Sequence, residues 1–270
     1  MRNDGNFRIR FLLFIIILGI FSRPANINAA CDEDREIRRM EFRLQDKDLP
    51  RMAQFVLYLP PCYDANRSAP YPLLILLHGH DMTLETWDEL GLPPALLSYA
   101  EVKENEPFLV LTILETDNLL SLSNSGFDRT ILEKIVPWVE SHFHTGGRRE
   151  LRALGGISRG AFWAADIAFR KPETAQTIGL HSIPGSPFSD IEFHYLIQNA
   201  NESGDTFNIR FDIGDLDPNR LHSQALEQQL TRENVPFQSV IRPGDHIFAY
   251  WQENLTDYLQ WYGSAFAQGI

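Results

Sequence analysis

A serine, an acid and a histidine follow one another along this chain, each at a point where the backbone has reason to turn: Ser158, Asp217 and His246. Ser158 lies in Gly156-Ile-Ser158-Arg-Gly160, between the apolar stretch from Leu151 and a helical pattern that starts at Ala161. A serine hydroxyl is a weak nucleophile unless a base takes its proton as it attacks. To meet that base it must project from a sharp strand-to-helix turn. The residues flanking the turn must be small, because strand and helix nearly touch there, and Gly156 and Gly160 meet this need. The helix that follows points free N–H groups at the site, which suits a developing oxyanion. The N–H of Arg159 is therefore the first expected oxyanion donor. The second is the N–H of His80, because Gly79 in His78-Gly79-His80 lets the backbone approach the site after an apolar run.

The acid has two candidates. Asn208-Ile-Arg-Phe-Asp-Ile-Gly214 reads as a strand, and Asp215 and Asp217 both follow it. Asp217 is preferred, three residues past Gly214 and stiffened by Pro218; the loser takes a capping or loop-bonding role. The base, His246, follows the last predicted strand in Pro243-Gly-Asp-His246. The order Ser, acid, His is the one used by strand–turn–helix nucleophiles. Other pairings are weaker. His78 and His80 form an H-x-H pair with no carboxylates to complete a metal site, so His78 is expected to shape its loop. Asp215-x-Asp217 lacks the further oxygen ligands that calcium needs, and no Cys/His spacing resembles a zinc site. No cofactor and no metal are expected. His142 and His144 are expected as surface cations at a helix end.

These residues need a scaffold. Met40–Leu44 and Gln54–Leu59 read as two antiparallel strands. Tyr71–His78 and Phe108–Leu114 are apolar enough for buried strands, and the run before Ser158, Thr177–Ser182, Asn208–Gly214 and Phe237–Arg242 read as further strands. Helical patterns alternate with them: Leu84–Ala100, interrupted at Pro93-Pro94; Arg129–His144, capped by Asp128; Leu221–Glu233; and a last helix from Phe248. The fold class is α/β, a mostly parallel sheet with helices on both faces and antiparallel strands at its N-terminal end. The polar stretch from Glu115 to Gly126 is expected as a loop at a strand end, where substrate contacts sit.

The 270 residues suit one large domain, with 44% hydrophobic and 11% aromatic content to fill its core. Residues 1–30 read as a secretory signal: Arg2, Arg8 and Arg10, then the apolar Phe11–Phe21, then small residues at Ala29-Ala30. Residues 31–270 form the expected catalytic domain, placed outside the cytoplasm. The formal charge of −12 leaves no footprint for nucleic acid, and no stable protein partner is evident. The two cysteines, Cys31 and Cys62, are read as a disulfide that ties down the mature N-terminus, with a lipid anchor at Cys31 or two free thiols as alternatives. The sequons at Asn66, Asn201 and Asn254 matter only in a glycosylating host.

Taken together, Pro60-Pro61-Cys62-Tyr63-Asp, Leu77-His78-Gly79, Gly155-Gly-Ile-Ser158-Arg-Gly160, Gly214-Asp-Leu-Asp217 and Gly244-Asp-His246…Tyr250-Trp251 resemble the Putative esterase family of α/β-hydrolases. That family groups esterase D, antigen 85, feruloyl esterase and enterochelin esterase relatives. The resemblance implies Ser158 as nucleophile, Asp217 as acid, His246 as base, and oxyanion donors at Arg159 and His80. It implies hydrolysis of a small-molecule or carbohydrate-linked carboxylic ester. The chain departs from the family at Arg159 and Ala161, where Met and Gly are common; the Arg159 side chain is expected toward the mouth of the site. The alternatives are an acyltransferase or a peptidase of the same fold, or a catalytically inactive binding module.

Overall fold

The computed structural model describes residues 35–49, 51–116 and 119–269. Residues 1–30 and Cys31 lie outside them. The described chain folds around one eight-stranded sheet of order β1-β2-β4-β3-β5-β6-β7-β8. The strands are β1 (Arg38–Leu44), β2 (Ala53–Leu59), β3 (Leu73–Leu77), β4 (Leu109–Ile113), β5 (Arg152–Ile157), β6 (Thr177–His181), β7 (Asn208–Gly214) and β8 (Gln238–Arg242). β1 pairs antiparallel with β2, and β2 antiparallel with β4; every later pairing is parallel. The expected α/β class, with antiparallel strands at the N-terminal end, is the one found.

Alternation along the central strands builds two cores. Leu73, Ile75 and Leu77 face one, with Leu154, Trp163, Phe169 and Phe193; Leu74 and Leu76 face the other, with Trp87, Tyr99 and Tyr258. A strand apolar at every position buries both faces, which is why these runs read as continuous. The first side is covered by the helices Arg159–Arg170, Asp190–Ser203 and Arg220–Arg232, here α1, α2 and α3; the second by Leu92–Glu101 and by the long C-terminal helix α4 (Phe248–Gly269). Among the described residues no helix is long and apolar enough to cross a membrane.

Three local expectations need correction. Pro93 and Pro94 do not interrupt a helix; they stand at the first turn of Leu92–Glu101, after Gly91 at φ 87°. Proline lacks only an N–H that a first turn leaves unpaired anyway. Asp128 caps nothing: the helix begins at Phe127 behind Gly126, which holds φ 66°. That helix widens into a π turn over Thr130–Ile135 before Val136–His142. Pro137 has no N–H to give the preceding turn, so the ladder is interrupted there. His142 is exposed and stacks on Trp138 at 4.1 Å. His144, by contrast, is half-buried with Nε2 enclosed, so it does not lie on the surface as expected.

Candidate active site

The C-terminal ends of β3, β5, β6, β7 and β8 bring the chemistry together. Ser158 is the residue between β5 and α1, and it adopts φ 53° and ψ −117°. Two glycines make the turn possible. A Cβ on Gly160 would lie 2.0 Å from the Leu77 carbonyl oxygen, and one on Gly156 would lie 2.4 Å from the Gly160 carbonyl carbon. Both obstacles are backbone, so neither can swing away. The Ser158 N–H donates to the His181 carbonyl on the neighbouring strand at 2.9 Å, which pins the strained residue.

His246 comes from the loop between β8 and α4. Its Nε2 lies 2.9 Å from Ser158 Oγ and its Nδ1 lies 2.8 Å from Asp217 Oδ2. With Asp217 ionised, Nδ1 carries the proton and Nε2 presents its lone pair to the serine hydroxyl. The Asp217 side chain is fully buried. Burial opposes its ionisation, but the hydrogen bonds from His246 and from the Asn219 N–H (2.8 Å) outweigh it, with help from the Ser182 hydroxyl. The carboxyl is held below its usual range. This arrangement can take a proton from Ser158 and return it to a leaving group.

Asp215 does different work. Its Oδ1 accepts the Gly244 N–H at 3.0 Å, its own N–H donates to Arg242 O at 2.8 Å, and the Leu216 N–H donates to Gly244 O at 2.8 Å. It zips the histidine loop to the acid loop. Further down, the buried Asp212 carboxylate on β7 receives Tyr250 OH at 2.9 Å, Tyr258 OH at 2.5 Å and the Arg242 guanidinium. Arg242 precedes the histidine loop and Tyr250 follows it, so one carboxylate holds both ends.

His78 and His80 diverge. His78 is buried; its Nδ1 bonds Gly79 O at 2.7 Å and its Nε2 accepts the Glu115 N–H at 2.9 Å. Burial pushes its pKa down, which suits this neutral tautomer. It shapes the loop. His80 is exposed beside Asp81, at 3.3 Å, and its backbone lies in the turn after β3. Among the described residues no group of three or more His, Cys, Asp or Glu could hold a metal ion.

The Arg159 N–H belongs to the first turn of α1, where N–H groups lack intrahelical partners. Its side chain grips buried Glu115 with two bonds of 2.7 and 2.6 Å, and the Leu120 carbonyl at 2.7 Å. The guanidinium is thus committed to the loop after β4. Beyond it, along α1, a cavity of about 610 Å³ is lined by Leu122, Asp128, Phe162, Asp166 and Arg170. Phe162 stands one helical turn past Ser158. Cys62 is disulfide-bonded; its expected partner, Cys31, lies outside the described residues. Sequence reasoning missed Glu115, Ser182, Asp212 and Asn219. Only Glu115 carried a signal, a carboxylate where an apolar strand ends.

The model of the Putative esterase family matches residues 47–262. Among curated proteins, an endo-1,4-beta-xylanase/feruloyl esterase of Xylanibacter ruminicola is 25% identical over 139 residues, 47% of this chain. The chain spans about a fifth of that protein's length, 19% being matched. Among solved structures, a ferulic acid esterase superposes with a TM-score of 0.74 at 21% identity, over 86% of this chain and 99% of the other. A mutant feruloyl esterase module from Clostridium thermocellum, complexed with sinapinate, gives 0.72 at 18% identity, over 83% and 87%. An S-formylglutathione hydrolase from Agrobacterium tumefaciens gives 0.65 at 17% identity, over 86% and 96%. At these identities the structural likenesses show the fold.

Proposed function

The chain belongs to the Putative esterase family, and on that premise we propose that it is a secreted serine esterase that works through an acyl-enzyme on Ser158. The observation that carries the reading is the relay from Ser158 Oγ through His246 to Asp217, with links of 2.9 and 2.8 Å. His246 Nε2 takes the hydroxyl proton as Ser158 Oγ bonds to the ester carbonyl carbon. The tetrahedral oxyanion is held by the N–H groups of Arg159 and His80, each worth about 10²–10³ in rate. Collapse breaks the bond to the alcohol, which leaves with the proton that His246 gives back. Water then attacks the acyl-enzyme, His246 taking its proton and returning it to Ser158. Asp217 keeps the imidazole in the right tautomer and steadies the imidazolium.

The esters to try first follow from the relatives. Feruloyl esterases among them favour an aromatic acyl group. Residues 1–30 direct export, which the disulfide at Cys62 supports.

The test uses residues 31–270 with p-nitrophenyl esters of rising chain length, feruloyl esters and acetyl-sugar esters. Wild type should turn over at least one of them and be labelled at Ser158 by a fluorophosphonate. Ser158→Ala should lose kcat by about 10⁴-fold or more while melting like wild type. Near-normal turnover in that variant would sink the proposal. Transfer of the acyl group to an added sugar faster than to water would turn it toward an acyltransferase.

A further inference from the structure

β5 and β6 end in register, Ile157 opposite His181. The next residue on each strand is a serine in the left-handed region, Ser158 at φ 53° and Ser182 at φ 54°. At Ser158 that conformation presents the hydroxyl to His246. Ser182 has no part in the reaction described above. A non-glycine residue held there costs free energy and persists only where its surroundings over-determine it.

The surroundings of Ser182 do so, and they lead to the same imidazole. Ser182 is wholly buried. Its N–H donates to Asp212 O at 2.7 Å. Its Oγ accepts the Trp251 indole N–H at 3.0 Å. A hydroxyl that accepts the indole N–H is held in one place, and it also favours the ionised form of Asp217. Trp251 is itself 4% exposed, and its ring meets the His246 imidazole at right angles, 88°, with centroids 5.1 Å apart. Trp251 is therefore held by Ser182 at one end and meets His246 with its ring.

We propose that Ser182 and Trp251 are positioning residues for His246: the buried Ser182 hydroxyl anchors the indole N–H, and the indole ring so held sets the plane of the imidazole. This rests on the reading of Ser158, His246 and Asp217 as the catalytic triad. The two residues act in series through one hydrogen bond, from Trp251 Nε1–H to Ser182 Oγ, so removing either should free the indole ring and with it the imidazole. Substrate binding does not involve them.

The test compares Ser182→Ala, Trp251→Phe and the double variant with wild type, using kcat and KM on the best ester, the downfield proton resonance of His246 Nδ1–H, and thermal melts to establish folding. Each single change should lower kcat about tenfold, the upper scale of one buried hydrogen bond, with KM within about twofold. The double variant should lose about as much as the worse single one. The downfield resonance should move or broaden in all three. A kcat within about twofold of wild type with the resonance unmoved overturns the proposal, as does a fall in kcat matched by an equal rise in KM, which marks general loosening. If Ser182→Ala does not fold, Trp251→Phe decides alone, since it keeps a ring beside His246. Ser158→Ala separates the two readings: if it stays active the triad itself is wrong, and if it is dead while these variants are unaffected only the positioning role fails.

Discussion

Ser158 and His246, the proposed nucleophile and base, sit 2.9 Å apart yet are held by opposite means. Ser158 is fixed by sterics. Strand, turn and helix are pressed so closely that Gly156 and Gly160 leave no room for a methyl group, and the contacts are backbone on backbone. His246 is fixed by hydrogen bonds. Its loop is zipped to Asp215 and Leu216, and both its ends are tied to buried Asp212. The difference follows from what each residue does. A nucleophile must stay in one strained conformation throughout the cycle. A base must change charge, which is easier beside polar groups that can respond than against a hydrocarbon wall.

The sharpest way to break this comparison is to add one carbon on the steric side. Gly160→Ala puts a Cβ against the Leu77 carbonyl oxygen, and no side-chain rotation relieves it. Denaturant midpoints should show a loss of about 3 kcal/mol, the top of the usual overpacking range, or no folded protein at all. A variant of wild-type stability would mean that the elbow is looser than its geometry states.

On the hydrogen-bonded side, Asp212→Asn keeps the shape but removes the charge that faces Arg242. The same midpoints should fall by about 2 kcal/mol, within the range for a hydrogen bond to a charged group. Activity should fall too, in kcat before KM, because the histidine loop loses its common anchor. If stability drops and kcat does not, Asp212 serves the fold alone.

Asp215→Ala probes the exposed end of the zip. It removes the acceptor for the Gly244 N–H only, so about 0.5–1.5 kcal/mol is at stake and kcat should fall roughly threefold. Asp217→Ala alongside should be far worse. Equal effects would show that the two acids share the task.

The gentlest probe changes only pH. The Asp217 carboxyl is held below its unfolded value. Its contribution to stability is therefore complete above the unfolded pKa of about 4, and it is lost as pH falls from there through the folded pKa. Melting curves of wild type and Asp217→Asn should converge over that window. A gap that stays constant down to the acid unfolding limit would contradict the hydrogen-bonded account of the acid.

The two halves also differ in how far they could be read from sequence. The elbow needs only five consecutive residues, so Gly156-Ile-Ser158-Arg-Gly160 announced it. The buried His78 was legible for a similar reason, since it shapes the turn next to itself. The hydrogen-bonded half depends on partners that are distant in the chain. Asp212 meets Tyr250 across 38 residues, Arg159 meets Glu115 across 44, and Ser182 meets Trp251 across 69. No local pattern marks such pairs. The same limit explains the misplaced Asp128 cap and the misjudged His144, whose surroundings are set by neighbouring elements.

By itself, then, the sequence determined the α/β class, through strands apolar on both faces, and the family, through short motifs spread over the chain. It also singled out Ser158, Asp217 and His246, the side chains that the fold brings together, because a strained turn and a strand end each restrict residue type locally. Tertiary structure alone decided how they are aimed: that Asp217 rather than Asp215 meets His246, that Arg159 turns to Glu115, and that Ser182, Trp251 and Asp212 surround the acid and base. Local backbone rules act over a few residues, whereas the direction of a side chain depends on every group that packs against it, wherever those groups lie in the chain.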